Sequence, residues 1–195
     1  TQDTSYEGAE TFKLVATNAG GTTNDIVTDP TKQGIGTIKD DGTGDIFNDD
    51  GTKDTTTRKD DDRLLTVDNV TVNEDSPTAV FTVTGNANQY VKLALAATTN
   101  VSGNATLGTD TGNVPTRTVP LQYSTNNGTT WNDYTANSYV QMTGTSMLVR
   151  TGITQDTSYE GAETFKLVAT NAGGTTNDIV TDPTKQGIGT IKDDG

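Results

Sequence analysis

Asp156-Thr-Ser-Tyr159-Glu160-Gly161-Ala-Glu163-Thr-Phe165 is the densest run of chemically useful side chains in this sequence, and Asp3 to Phe12 repeats it. Its carboxylates stand at the first, fifth and eighth places with a glycine among them, so they cannot all lie on one face of a strand. A loop can turn them inward about one point, which is how oxygen ligands surround a hard cation. Paired carboxylates also hydrolyse glycosides. Here no aromatic platform for a sugar flanks the acids, and a repeated motif would multiply one active site many times. The chain is therefore read as a non-enzyme. Plain turn formation, with water satisfying the acids, is the other reading of the same residues.

Composition removes further chemistry. The 195 residues include no histidine and no cysteine, which excludes disulfides, Cys/His zinc sites, a thiol nucleophile and an imidazole base. A formal charge of −13 makes nucleic acid and anionic membrane surfaces poor partners. No apolar run approaches the roughly 18 residues of a membrane-spanning helix, so no membrane insertion is expected, and no secretory leader pattern opens the sequence. Leu, Ile, Val and Phe together make about 18% of the chain, a level at which disorder is the default for a strongly charged protein. A stable fold then needs help beyond apolar burial.

The elements that would position the acids read as β throughout. Thr78 to Thr84 alternates, with Val80 and Thr82 on the face opposite Phe81 and Val83. Similar runs occur at Leu65 to Val72, Tyr90 to Ala96, Arg117 to Tyr123, Ser146 to Thr151, Thr164 to Ala169 and Gly187 to Lys192. Gly, Asn, Asp and Pro bound them, and no helical periodicity competes. The expected fold is an all-β antiparallel sandwich of the immunoglobulin-like kind.

Thr1 to Gly42 recurs without one change from Thr154 to Gly195. Identity over that length implies tandem repetition rather than divergence. The expected organisation is residues 1–42 as the closing strands of a preceding repeat, 43–62 as an acidic inter-repeat linker, and 63–195 as one complete sandwich. Neighbouring identical repeats are then the natural partners. Because 1–42 duplicates the closing strands, it can also complete another copy of the body, so strand exchange within the chain or between molecules is expected.

The motif DxxYEGxExF, followed by Gly187-Ile-Gly-Thr-Ile191-Lys-Asp193-Asp194, resembles the ending of Calx-beta domains. Val70-Thr-Val-Asn-Glu74 through Phe81 is similar to that family's opening strand, and Asn132-Asp133-Tyr134 to its mid-domain turn. The resemblance implies a seven-stranded sandwich binding Ca2+ at one end. Carried over by motif, the ligands would be Glu74, Asp133, Asp156, the Ser158 carbonyl, Glu160, Glu163, Asp193 and Asp194. The copy would offer Asp3, Glu7, Glu10, Asp40 and Asp41. Thr154-Gln155-Asp156 departs from the family's consecutive aspartates, and 97–121 is longer and richer in Asn, Gly and Thr than usual. Ser124 to Trp131 resembles an Asp box, with Asn at the usual Asp place.

Acidic, cysteine-free tandem sandwiches with such loops resemble the extender region of large bacterial RTX adhesins exported by type I secretion. That resemblance implies an extracellular, cell-surface spacer for adhesion or biofilm formation, folded and stiffened by calcium. The rival expectation is that the repeat is itself a surface- or carbohydrate-binding module.

Overall fold

In Thr78–Thr84 the side chains of Ala79, Phe81 and Val83 are buried while Val80 points away from the core. This is the alternation of a strand with one wet face. The computed structural model describes residues 5–18, 26–27, 33–99, 103–111, 113–114, 117–118, 120–171, 179–180 and 186–193. Among the described residues there is no helix.

Residues 63–193 form two stacked sheets. The first runs Val140–Gln141, Tyr90–Ala97, Ala162–Asn171, Gly187–Lys192, Val70–Asn73, with Ile179–Val180 added to Ala162–Asn171. The second runs Asn132–Asp133, Gln122–Ser124, Ser146–Gly152, Thr78–Thr84, Thr66–Val67. Pairing is antiparallel except where Gly187–Lys192 lies parallel to Val70–Asn73. The closing strand thus locks onto the opening one. The fold is the all-β, immunoglobulin-like sandwich expected from the alternation.

Between the sheets sit Phe81, Val83, Leu93, Met142, Met147, Val149, Ile153, Phe165 and Leu167, each at most 3% exposed. The Phe81 and Phe165 rings meet edge to face, with centroids 5.8 Å apart. Two glycines make room for them. A Cβ on Gly189 would stand 2.5 Å from the Phe165 ring, and one on Gly187 would stand 2.4 Å from the Asp68 carbonyl oxygen. Tyr134 fastens the sheets at one side: its hydroxyl donates to the Ser138 carbonyl (2.7 Å) and accepts the Leu93 amide (3.0 Å).

The single strand expected from Leu65 to Val72 is two, and they belong to different sheets. The chain crosses over at Asp68-Asn69, where side chains replace the missing ladder. Asp68 Oδ1 accepts the Thr82 amide (2.6 Å) and Asn69 Oδ1 accepts the Ile188 amide (2.8 Å). The run expected from Arg117 to Tyr123 likewise divides into Arg117–Thr118 and Gln122–Ser124.

Among the described residues, those of 10–18, 26–27 and 34–38 add to neither sheet of the sandwich. Glu10–Leu14 and Gly34–Ile38 pair only with each other, and the body is closed by Ala162–Asn171 and Gly187–Lys192. Strand exchange within the chain is therefore not the arrangement adopted. Identical hairpins compete for one body, and the one that follows it directly occupies it.

The segment expected as an acidic linker is folded. Ile46–Phe47 pairs with Lys53–Asp54, and Lys53 bridges Asp45 at 2.8 Å. Aspartates cap the following threonines: Asp50 Oδ1 accepts the Thr52 amide (2.9 Å) and Asp54 Oδ1 accepts the Thr56 amide (2.7 Å). Asp41 and Asp61 form a β-bridge, and the Gly42 amide donates to the Asp60 carbonyl at 2.7 Å. The excursion is thus closed at its base.

Candidate metal centre

Glu163 stands at the start of the long strand Ala162–Asn171, and the segment 103–111 is laid beside it. The Thr164 amide donates to the Gly103 carbonyl (2.7 Å) and the Ala105 amide donates to the Thr164 carbonyl (3.0 Å). Only glycine suits position 103, where φ is +90° and a Cβ would lie 2.7 Å from the Ala162 carbonyl oxygen. The buried Thr111 then donates its hydroxyl to the Gly152 carbonyl (3.0 Å) and ties the segment to the other sheet. Between these anchors a tight turn presents Asp110, whose Oδ2 accepts the Thr106 amide at 2.6 Å.

Asp110, Glu160 and Glu163 offer carboxylate oxygens that all lie within 4.8 Å of one another. Three further acids are stitched to the same loops through backbone amides. Glu74 accepts the Asp156 amide, Asp156 accepts the Ser158 amide (2.6 Å), and Asp193 Oδ2 accepts the Glu160 amide (3.1 Å). Burial, then the charges of Asp110 and Glu160, push the Glu163 carboxyl up to about 7. Glu160 is raised as well, first by desolvation and then by Asp156, Asp110, Glu74 and Asp193. The ion pairs Lys39–Asp41, Lys53–Asp45 and Arg63–Asp61 lie elsewhere. Carboxylates crowded so closely need protons or a cation between them.

Of the residues singled out in the sequence, the structure gathers Glu74, Asp156, Ser158, Glu160, Glu163 and Asp193 at this end. Asp133 is elsewhere: it lies in the edge strand Asn132–Asp133 and takes the Gln122 side-chain amide at 2.6 Å. Asp194 and Asp3 fall outside the described residues. Asp110 was not singled out. Its only signal was an acid within a Leu-Gly-Thr-Asp-Thr turn, and its place depends on the buried Thr111.

The copy keeps part of this geometry. The Glu7 amide donates to Asp40 Oδ2 at 3.2 Å, as the Glu160 amide does to Asp193. Glu10 is exposed. Asp41 accepts the Thr43 amide (3.0 Å), and its carboxyl is held low mainly by the Thr43 hydroxyl. Asp40 forms a second acidic group with Asp60 and Asp62 at the base of the folded linker. They line a cleft of about 720 Å³ together with Glu7, Glu10 and Asp45.

The linker enters at the opposite end of the sandwich. Asn171, at the far end of its strand, donates to the carbonyls of Asp61 and Arg63 (3.0 Å to the latter). Arg63 in turn grips the buried Asp61 through two hydrogen bonds of 2.8 and 2.7 Å. Ten strand residues, roughly 30 Å, separate this entry from the acidic exit.

The Asp-box-like turn is self-contained. Asn126 Oδ1 accepts the Thr130 amide (2.9 Å), and the Arg150 guanidinium lies 4.1 Å from the Trp131 ring centroid. That cation covers one face of the indole.

No family model matches the sequence, and no curated protein matches it. Among solved structures, the apo form of the Calx CBD1 domain matches with 14% identity and a TM-score of 0.39, over 68% of this chain and 99% of that one. The periplasmic chaperone SfaE matches with 10% identity and a TM-score of 0.39, over 67% of this chain and 58% of that one. At these values the fold assignment rests on the sheet topology itself.

Proposed function

We propose that this chain is a structural extender repeat of a bacterial cell-surface adhesin, folded and stiffened by calcium, that projects a distal binding region for adhesion or biofilm formation. The observation that carries the reading is the convergence of Asp110, Glu160 and Glu163, with Glu74, Asp156 and Asp193 on the same loops, where the chain leaves the sandwich. Calcium takes six to eight oxygens in flexible geometry, and extracellular modules bind it at roughly 10⁻⁴–10⁻³ M. Such a site stays empty inside a cell and fills outside it, so export would precede final folding. The acids sit at the exit and the linker is bonded at the entry, which suits an object loaded end to end. The extracellular location, the RTX type and the absence of enzymatic activity belong to this same reading.

Titration of calcium into the EDTA-stripped chain tests it. Saturable heat or a shift in the near-UV signal is expected, weakened at least tenfold by Asp110→Asn. No binding at millimolar calcium would overturn the reading. The rival, a carbohydrate-binding repeat, requires saturable glycan binding lost in Trp131→Ala. The Arg150 side chain over Trp131 speaks for the spacer.

A further inference from the structure

The N-terminal hairpin has the register of the closing hairpin residue for residue. Phe12 pairs with Gly36 as Phe165 pairs with Gly189, and Leu14 with Gly34 as Leu167 with Gly187. Its inward face is nonetheless bare: Phe12, Leu14 and Ile38 are 57%, 71% and 55% exposed, against 0%, 0% and 4% for Phe165, Leu167 and Ile191. Both outer edges are also free. In the closing hairpin those edges pair with Tyr90–Ala97 and Val70–Asn73, whereas among the described residues Glu10–Leu14 and Gly34–Ile38 pair only with each other.

We infer that this hairpin is a preformed docking element whose occupant is a sandwich body of the same sequence as residues 63–153, supplied by another repeat. The closed interface inside the chain shows what that body offers: an apolar floor around Phe81 and Leu93, and one strand for each free edge. A second copy of the whole chain is not the occupant. Each chain carries one body and two identical hairpins, so exchange between chains leaves as many hairpins bare as before. The linked hairpin also has the higher effective concentration at its own body. Two bare edges beside an apolar face are what a bound strand pair needs. This rests on the repeat organisation and not on calcium.

The test compares the 195-residue chain with one extended at its N-terminus by a second copy of residues 43–153. The extended chain is expected to show about twice the cooperative unfolding signal, and Phe12→Asp should remove about half of it. In the 195-residue chain, which should be monomeric, Phe12→Asp should leave the melting curve unchanged. An added body that stays unfolded, or an extended chain indifferent to Phe12→Asp, would overturn the inference. So would a dimer of the shorter chain that Phe12→Asp splits, because the hairpin's partner would then be its own kind.

Discussion

Two stretches of this molecule have one sequence and two environments. Residues 10–14 with 34–38 and 163–167 with 187–191 share one strand register, the phenylalanine ring lies over the equivalent glycine, and the glutamate amide upstream donates to the equivalent aspartate. Those features are local and belong to the segment. Burial, edge pairing and the crowding of Glu160 and Glu163 against Asp110 appear only in the second copy, so the body confers them. The comparison separates what a hairpin encodes from what a sandwich adds.

The largest expected difference follows from packing. Phe165→Ala should cost about 3–5 kcal/mol, while Phe12→Ala should stay within about 0.5 kcal/mol. Denaturant unfolding of the two variants measures this directly. Equal costs would mean the first hairpin has a core of its own.

The glycines give a finer contrast. A methyl on Gly189 would meet the Phe165 ring at 2.5 Å inside a filled core, and one on Gly36 would meet Phe12 at 2.3 Å beside open solvent. Gly189→Ala should therefore destabilise by about 1–3 kcal/mol. Gly36→Ala should be nearly silent, since the Phe12 ring can swing away. Thermal melts of the pair are sufficient.

A smaller effect is electrostatic. The Glu163 carboxyl titrates near 7 when folded, against an ordinary value of 4.5. The folded state therefore binds more protons than the unfolded one between those values. In EDTA, stability should fall as pH rises through that window and level off above it. Glu163→Gln should flatten the slope and raise the melting temperature of the cation-free form at pH 7. A slope unchanged in Glu163→Gln would assign it to other acids.

Much of this was legible in the sequence, because burial follows alternation. Phe81, Val83, Phe165, Leu167 and Ile191 lie inside as their period-two spacing requires. The acidic loop lies beside Glu74 and Asp193, whose carboxylates accept its amides. Asp110 was not legible, since 103–111 has no periodicity and is placed by a handful of hydrogen bonds to distant strands. The break at Asp68-Asn69 was hidden inside one apolar run, because only the sheets reveal that the run serves both. In residues 43–62, composition suggested only an acidic linker. The recurring Asp-x-Thr at Asp41, Asp50 and Asp54 was the overlooked signal, each aspartate capping the threonine two places on.

The central claim is that a cation resolves the repulsion at the exit of the repeat. Thermal unfolding of the intact chain in EDTA and in calcium tests it most directly. With free calcium a hundredfold above its dissociation constant, a site specific to the folded state contributes about 2.7 kcal/mol, or roughly 5–15 °C. Asp110→Asn should lose most of that gain, and Asp133→Asn should keep it, because Asp133 lies apart in the second sheet. A melting temperature indifferent to calcium would contradict the account and leave these acids as solvated turns.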